Sequence, residues 1–208
     1  MFYFSSCNFL DFDERSELNE DMVFGGYASQ RNFLYSIYQS IPNVDDYVDG
    51  SMLACATDDA EYINEFSAIQ RFNSANITVS FNPEGNWDAM YTGIRKCNVF
   101  LENATVERLD DYKYNLDEER DGDQYYTKLL AALEYERAEA RFLLAYFSFE
   151  LIKRYGGVPL ITDSEMVDYE RGSFNLNRRS FTDSKSVIVT ELNYIITKLP
   201  VMQDSVDV

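Results

Sequence analysis

Apolar residues recur at helical spacing in four stretches of the chain, and no alternating strand pattern competes with them. The first places Val23, Tyr27, Leu34, Ile37, Tyr38 and Ile41 on one face and ends at Pro42. Asn19 is its expected N-cap, with Glu20 and Asp21 in the first turn, where carboxylates favour the helix dipole. The second carries Trp87, Met90, Tyr91, Ile94, Cys97, Asn98 and Leu101 on one face. Asn82-Pro83 predicts its start, a cap followed by proline at the first helical position. The third begins between 122 and 125 and repeats Leu129, Leu133, Glu136, Ala140, Leu143, Phe147 and Leu151. At about 1.5 Å per residue it should run roughly 45 to 50 Å. The fourth opens at Ser180 or Thr182 and carries Ile188, Leu192, Ile195 and Leu199 before Pro200.

Amphipathic helices in this order predict an all-α fold and suggest a tetratricopeptide-like helical-pair array, each pair burying its face against the next, with no clean repeat visible in the sequence. Residues 43–85 hold no firm period and are punctuated by Asp and Asn, with short helices expected around 58–70. A long irregular stretch in a compact domain is often functional.

The third helix halts abruptly, as Lys153-Arg154-Tyr155-Gly156-Gly157-Val158-Pro159-Leu160. Glycine just past the last periodic residue takes left-handed dihedrals cheaply. Lys153 and Arg154 complement the negative end of the helix dipole. Gly157 allows a second turn, and Pro159 biases Val158 towards an extended conformation. Phosphate-binding loops place glycines before a helix, whereas these follow one, so the junction reads as a corner.

The 208-residue length fits one domain, and 46% hydrophobic residues allow a sizeable core. The 36 acidic against 18 basic residues leave a formal net charge of −18, which repels nucleic acid. There is no His, which excludes His-based triads and HExxH zinc sites and leaves carboxylate-pair catalysis and oxygen-ligand calcium binding open. Cys7, Cys55 and Cys97 are odd in number and widely spaced, unlike a disulfide framework or a metal cluster.

Several segments resemble the SusD/RagB family of outer-membrane, nutrient-binding lipoproteins. The helix Ala138-Glu139-Ala140-Arg141-Phe142-Leu143 and its continuation into Tyr155-Gly156-Gly157-Val158-Pro159-Leu160 carry the most specific likeness. In the same order as in the family, Ala56-Thr57-Asp58-Asp59-Ala60 is similar to its A-T/S-D-E-A segment. The helix from Trp87 through Tyr91 and Ile94 to Asn98 is similar to its W-x-x-x-Y-x-x-I-x-x-x-N helix. Arg179-Ser180 with Val187-Ile188 and Leu199-Pro200 is similar to its R-x-S helix ending in LP. Ser5-Ser6-Cys7-Asn8-Phe9-Leu10-Asp11 resembles the end of a bacterial lipoprotein signal, although only six residues precede Cys7.

The resemblance implies residues 1–18 as a lipoprotein-type segment lipidated at Cys7, and 19–208 as a SusD-like helical domain shortened at its carboxy-terminal end, with apolar surface left exposed. It implies a non-enzymatic glycan-binding protein on the outer-membrane surface, anchored by lipid and acting with a SusC-like TonB-dependent transporter, without a cofactor. Within residues 43–85, Tyr62, Phe66, Phe72, Asn73 and Phe81 are the candidate ligand contacts, because aromatic faces stack on sugars and amides bond their hydroxyls. Asp58, Asp59 and Glu61 are acceptors or part of a plain acidic surface. Trp87, Tyr91 and Tyr155 read as packing residues. Alternatives are a tetratricopeptide-like scaffold that holds a protein segment and, with no carboxylate pair marked by an apolar pocket, a glycosidase.

Overall fold

A computed structural model describes residues 23–42, 48–78, 81–110, 122–160 and 177–199. Helices α1 (Tyr27–Tyr38), α2 (Gln70–Asn73), α3 (Trp87–Asn103), α4 (Gly122–Tyr155) and α5 (Phe181–Ile196) carry the architecture. Short 3-10 turns lie at Leu53–Ala56 and Glu107–Leu109. Among the described residues the only sheet-like pairings are isolated bridges, Val48 with Ser51 and Thr78 with Phe81. The chain is all-α, as its periodicity predicts.

Helix α4 is the axis. Its 34 residues, about 50 Å, bury all the periodic positions from Leu129 to Leu151. It also buries Ala132, Ala138, Ala145 and Ser148, because it has neighbours on more than one side. Helix α3 runs antiparallel to it. Arg137 donates to the carbonyls of Leu101 (2.7 Å) and Ala104 (2.6 Å) at the end of α3, while Trp87 at its start meets Tyr155 at the end of α4. Arg137 thus satisfies carbonyls that a helix terminus leaves open. Helix α5 lies antiparallel on another side, with Arg141 bonded to Glu191 (3.1 Å) and Lys198 to Glu134 (2.7 Å). Two successive antiparallel pairs share α4, and α1 packs across α3 and α4 through Leu34, Ile37 and a ring cluster of Phe24, Phe33 and Phe100.

One expected helix start shifts, and the first helix is interrupted. Val23 and Phe24 are helical, the chain breaks at Gly25-Gly26, where Gly26 is extended at φ −160°, ψ 151°, and α1 resumes at Tyr27. Residues 19–22 lie outside the described residues. The second begins at Trp87, because Asn82 spends its side chain on a turn and accepts from the Glu84 N–H at 3.0 Å. Pro83 therefore sits in that turn. The fourth helix starts as expected, with Ser180 as N-cap accepting from the Asp183 N–H at 3.1 Å.

At the end of α4, Gly156 takes φ +71° and its N–H bonds the Ile152 carbonyl at 3.0 Å. Gly157 has a different reason to be glycine. A Cβ there would sit 2.0 Å from the Arg179 carbonyl oxygen, so residues 177–180 pass directly over it. The Arg179 N–H then bonds the Val158 carbonyl at 3.3 Å. The corner is a crossing point of two chain segments.

Apolar surface remains outside this core. Phe142 and Phe149 on α4 are almost half exposed, and Ile196 at the end of α5 is 74% exposed.

Candidate ligand-binding loop

The segment between α1 and α3 builds a small core of its own. Val48, Cys55 and Ile69 are buried together, with Ala56, Tyr62, Ala68 and Phe72 packed against them. Asp49 and Gly50 both have positive φ (56° and 78°), the conformation of a tight two-residue hairpin turn, and Val48 and Ser51 pair across it. The Asp49 carboxylate then accepts from the Ala68 N–H (3.0 Å) and the Ser67 hydroxyl (3.3 Å), which ties the turn to the entrance of α2. Short helical turns flank residues 58–69 instead of filling them: a 3-10 turn at Leu53–Ala56 and α2 at Gln70–Asn73. Thr57 stops the first by bonding the Ala54 carbonyl and accepting from the Asp59 N–H.

The sequence-expected contact residues fall into two groups. Tyr62 and Phe72 are half-buried against the small core, and the Tyr62 carbonyl accepts from Gln70 at 2.8 Å. Asn73 is exposed and donates to the Cys55 carbonyl (3.1 Å) and to Gln70 Oε1 (3.2 Å), so its amide NH₂ braces the loop while Oδ1 stays available. Phe66 and Phe81 present their rings to solvent, Phe66 at 96% exposure and Phe81 at 40%. Phe81 is fixed by a double pairing with Thr78, each donating its N–H to the other's carbonyl at 3.1 Å.

Arg71, not singled out by its sequence pattern, lies with its guanidinium 3.9 Å from the centre of the Phe81 ring. A cation over an aromatic face is attracted by the ring quadrupole. The signal was present: Arg71 is the only Lys or Arg in residues 43–85. Asp58, Asp59 and Glu61 are exposed, and among the described residues no group of three or more acidic or thiol side chains could hold a metal.

The aromatic residues at the corner differ in part from expectation. Trp87 is 36% exposed, not core, since it opens α3 beside the end of α4 and is covered on one side only. Its ring lies 4.8 Å from that of Tyr91 and 5.0 Å, edge-on, from that of Tyr155. The Tyr91 hydroxyl donates to the Pro159 carbonyl at 2.6 Å, and burial pushes its pKa up to about 12. Arg154, whose side chain is 4% exposed, pairs with Glu150 and reaches Glu84 (3.9 Å) before α3. These contacts clamp the corner. Cys55 and Cys97 are buried free thiols, and burial pushes Cys97 up to about 12, which keeps it protonated and unreactive. Cys7 lies outside the described residues.

An all-α array of antiparallel pairs around one long helix thus carries an irregular loop on which Arg71 lies over the partly exposed Phe81 ring. The chain belongs to the SusD-like family: residues 8–201 match the family model described as starch-binding and associating with outer membrane. A solved SusD-like protein from Bacteroides fragilis NCTC 9343 shares the fold, with a TM-score of 0.57 at 20% identity over 94% of this chain. The chain spans 33% of that protein's length. No curated protein matches the sequence.

Proposed function

We propose that the chain captures a glycan at the outer-membrane surface and delivers it to a SusC-like TonB-dependent transporter, binding without catalysis and held to the membrane by a lipid on Cys7. The observation that carries this reading is the family match across residues 8–201 to proteins described as starch-binding and associating with outer membrane.

The loop offers chemistry suited to a sugar. The Phe81 ring provides a flat apolar face for the C–H side of a pyranose. Arg71, whose guanidinium lies over that ring, brings N–H donors for hydroxyls. Asn73 Oδ1 can accept from a further hydroxyl, and Tyr62 and Phe72 support the loop from behind. Affinity for the free glycan is modest, because flexible hydrated ligands lose much of the gain to ordering and desolvation.

Affinity electrophoresis in gels containing single polysaccharides tests the binding role. The reading expects retardation by one polysaccharide, lost in Arg71→Ala and Phe81→Ala, with no reducing ends released. Retardation by none, or release of oligosaccharide, overturns it. For the anchor, mass spectrometry of the membrane-fraction protein should find a lipid-modified Cys7, and an unmodified Cys7 there contradicts it.

A further inference from the structure

Ile63 is 95% exposed and Phe66 is 96% exposed, the most solvent-facing of the large apolar side chains described. They stand three residues apart on one loop, so the fold itself gains almost nothing from either. Isolated exposed apolar residues are ordinary, but a nearly bare pair on one tip is a mark of an interaction surface.

The tip is held, not loose. The Asn64 side chain accepts from the Phe66 N–H at 3.1 Å, and the Asn64 carbonyl accepts from the Ser67 N–H at 3.1 Å. Gln70 bonds the Tyr62 carbonyl on one side, and Asp49 bonds the Ser67 hydroxyl and Ala68 N–H on the other. A loop already fixed in shape loses less entropy when its apolar groups are buried by a partner.

Charge narrows the partner. Asp58, Asp59, Glu61 and Glu65 are exposed on the same stretch of chain as the pair, and no Lys or Arg lies between 57 and 70. A membrane surface rich in anionic headgroups would be repelled. A second copy, also at −18, would meet the same sign of charge. A sugar stacks on a flat ring, and the aliphatic Ile63 offers none.

We propose that the tip at 58–66 is a protein-docking element, in which Ile63 and Phe66 enter an apolar pocket of a protein partner rimmed by Lys and Arg. Phe66 then belongs to a protein contact, which leaves Phe81 and Arg71 for the glycan. The idea does not depend on the glycan reading.

The test places a benzophenone amino acid at position 63 or 66 of the full chain in its native cells, with a control at the exposed position 185. Irradiation should cross-link 63 and 66, but not 185, to one and the same protein, identified by mass spectrometry. With that protein purified, Ile63→Ser and Phe66→Ser should each weaken binding about tenfold or more, the loss of a central contact. Asp58→Lys with Asp59→Lys should weaken it further and reduce its salt dependence. Both Ser variants should keep wild-type unfolding midpoints, and Ile63→Ser should keep wild-type glycan retardation, which separates this proposal from the previous one. Cross-links to lipid, to a second copy or to no protein overturn it. So does a cross-linked protein whose affinity is unchanged by the Ser variants.

Discussion

The Phe147 ring lies so close to Gly93 that a Cβ on residue 93 would be 2.7 Å from Phe147 Cε2. Gly93 is therefore a point of close approach between α3 and α4 in their antiparallel pairing. Phe147 is fully buried, so its ring cannot swing out into solvent. Gly93→Ala should destabilise the fold by about 1–3 kcal/mol through overpacking. Urea unfolding would measure this, and adding Phe147→Leu should recover part of the loss, because the two positions are in contact and couple.

The double glycine separates two causes that a single substitution would confuse. Gly156→Ala places an L-residue at φ +71° with open space around it, a cost of roughly 1–2 kcal/mol. Gly157→Ala forces a Cβ against the Arg179 backbone, which cannot rotate aside as a side chain would. It should cost more than Gly156→Ala, and should also loosen residues 177–180. Comparing the two unfolding midpoints checks the order; equal midpoints would contradict the crossing.

Glu136 sits in the buried stripe of α4 and accepts from the Tyr27 hydroxyl at 2.8 Å, while its Oε2 has no hydrogen-bond partner. Burial raises its pKa to about 7, Glu139 on the same helix adds to the rise, and Tyr27 and Arg31 on α1 oppose it. The folded pKa lies above the ordinary glutamate value of 4.5, so the folded state holds the proton more tightly. Its contribution is full below about 4.5 and is lost as pH rises through about 7. The slope in that window approaches 1.4 kcal/mol per pH unit. Glu136→Gln should remove this slope, so the variant gains on the wild type between pH 5 and pH 8. Urea midpoints across that range check it, and a constant difference between the two proteins would refute it.

Much of the frame was legible in the sequence because α4 and α5 obey local rules. The stripe from Leu129 to Leu151 and the Ser180 cap need no knowledge of neighbours. What was not legible depends on distance in space. Periodicity places Trp87 on a helix face but does not say that α4 ends beside it. Gly157 reads as a turn residue until Arg179 is seen crossing it. In the loop, Tyr62 and Phe72 turn inward while Ile63 and Phe66 turn outward, a choice made by the Asp49 and Gln70 anchors and not by any repeat. Arg71 over Phe81 was open to notice only through its isolation as a cation.

The proposed glycan site in the loop between α1 and α3 rests on Phe81 and Arg71. Its most direct test is calorimetric titration of the full chain and of Phe81→Ala with a panel of purified polysaccharides. The account predicts saturable binding to one of them, weakened about tenfold or more in the variant, with both proteins equally stable. Absence of binding across the panel, or equal affinity in the two proteins, would contradict it.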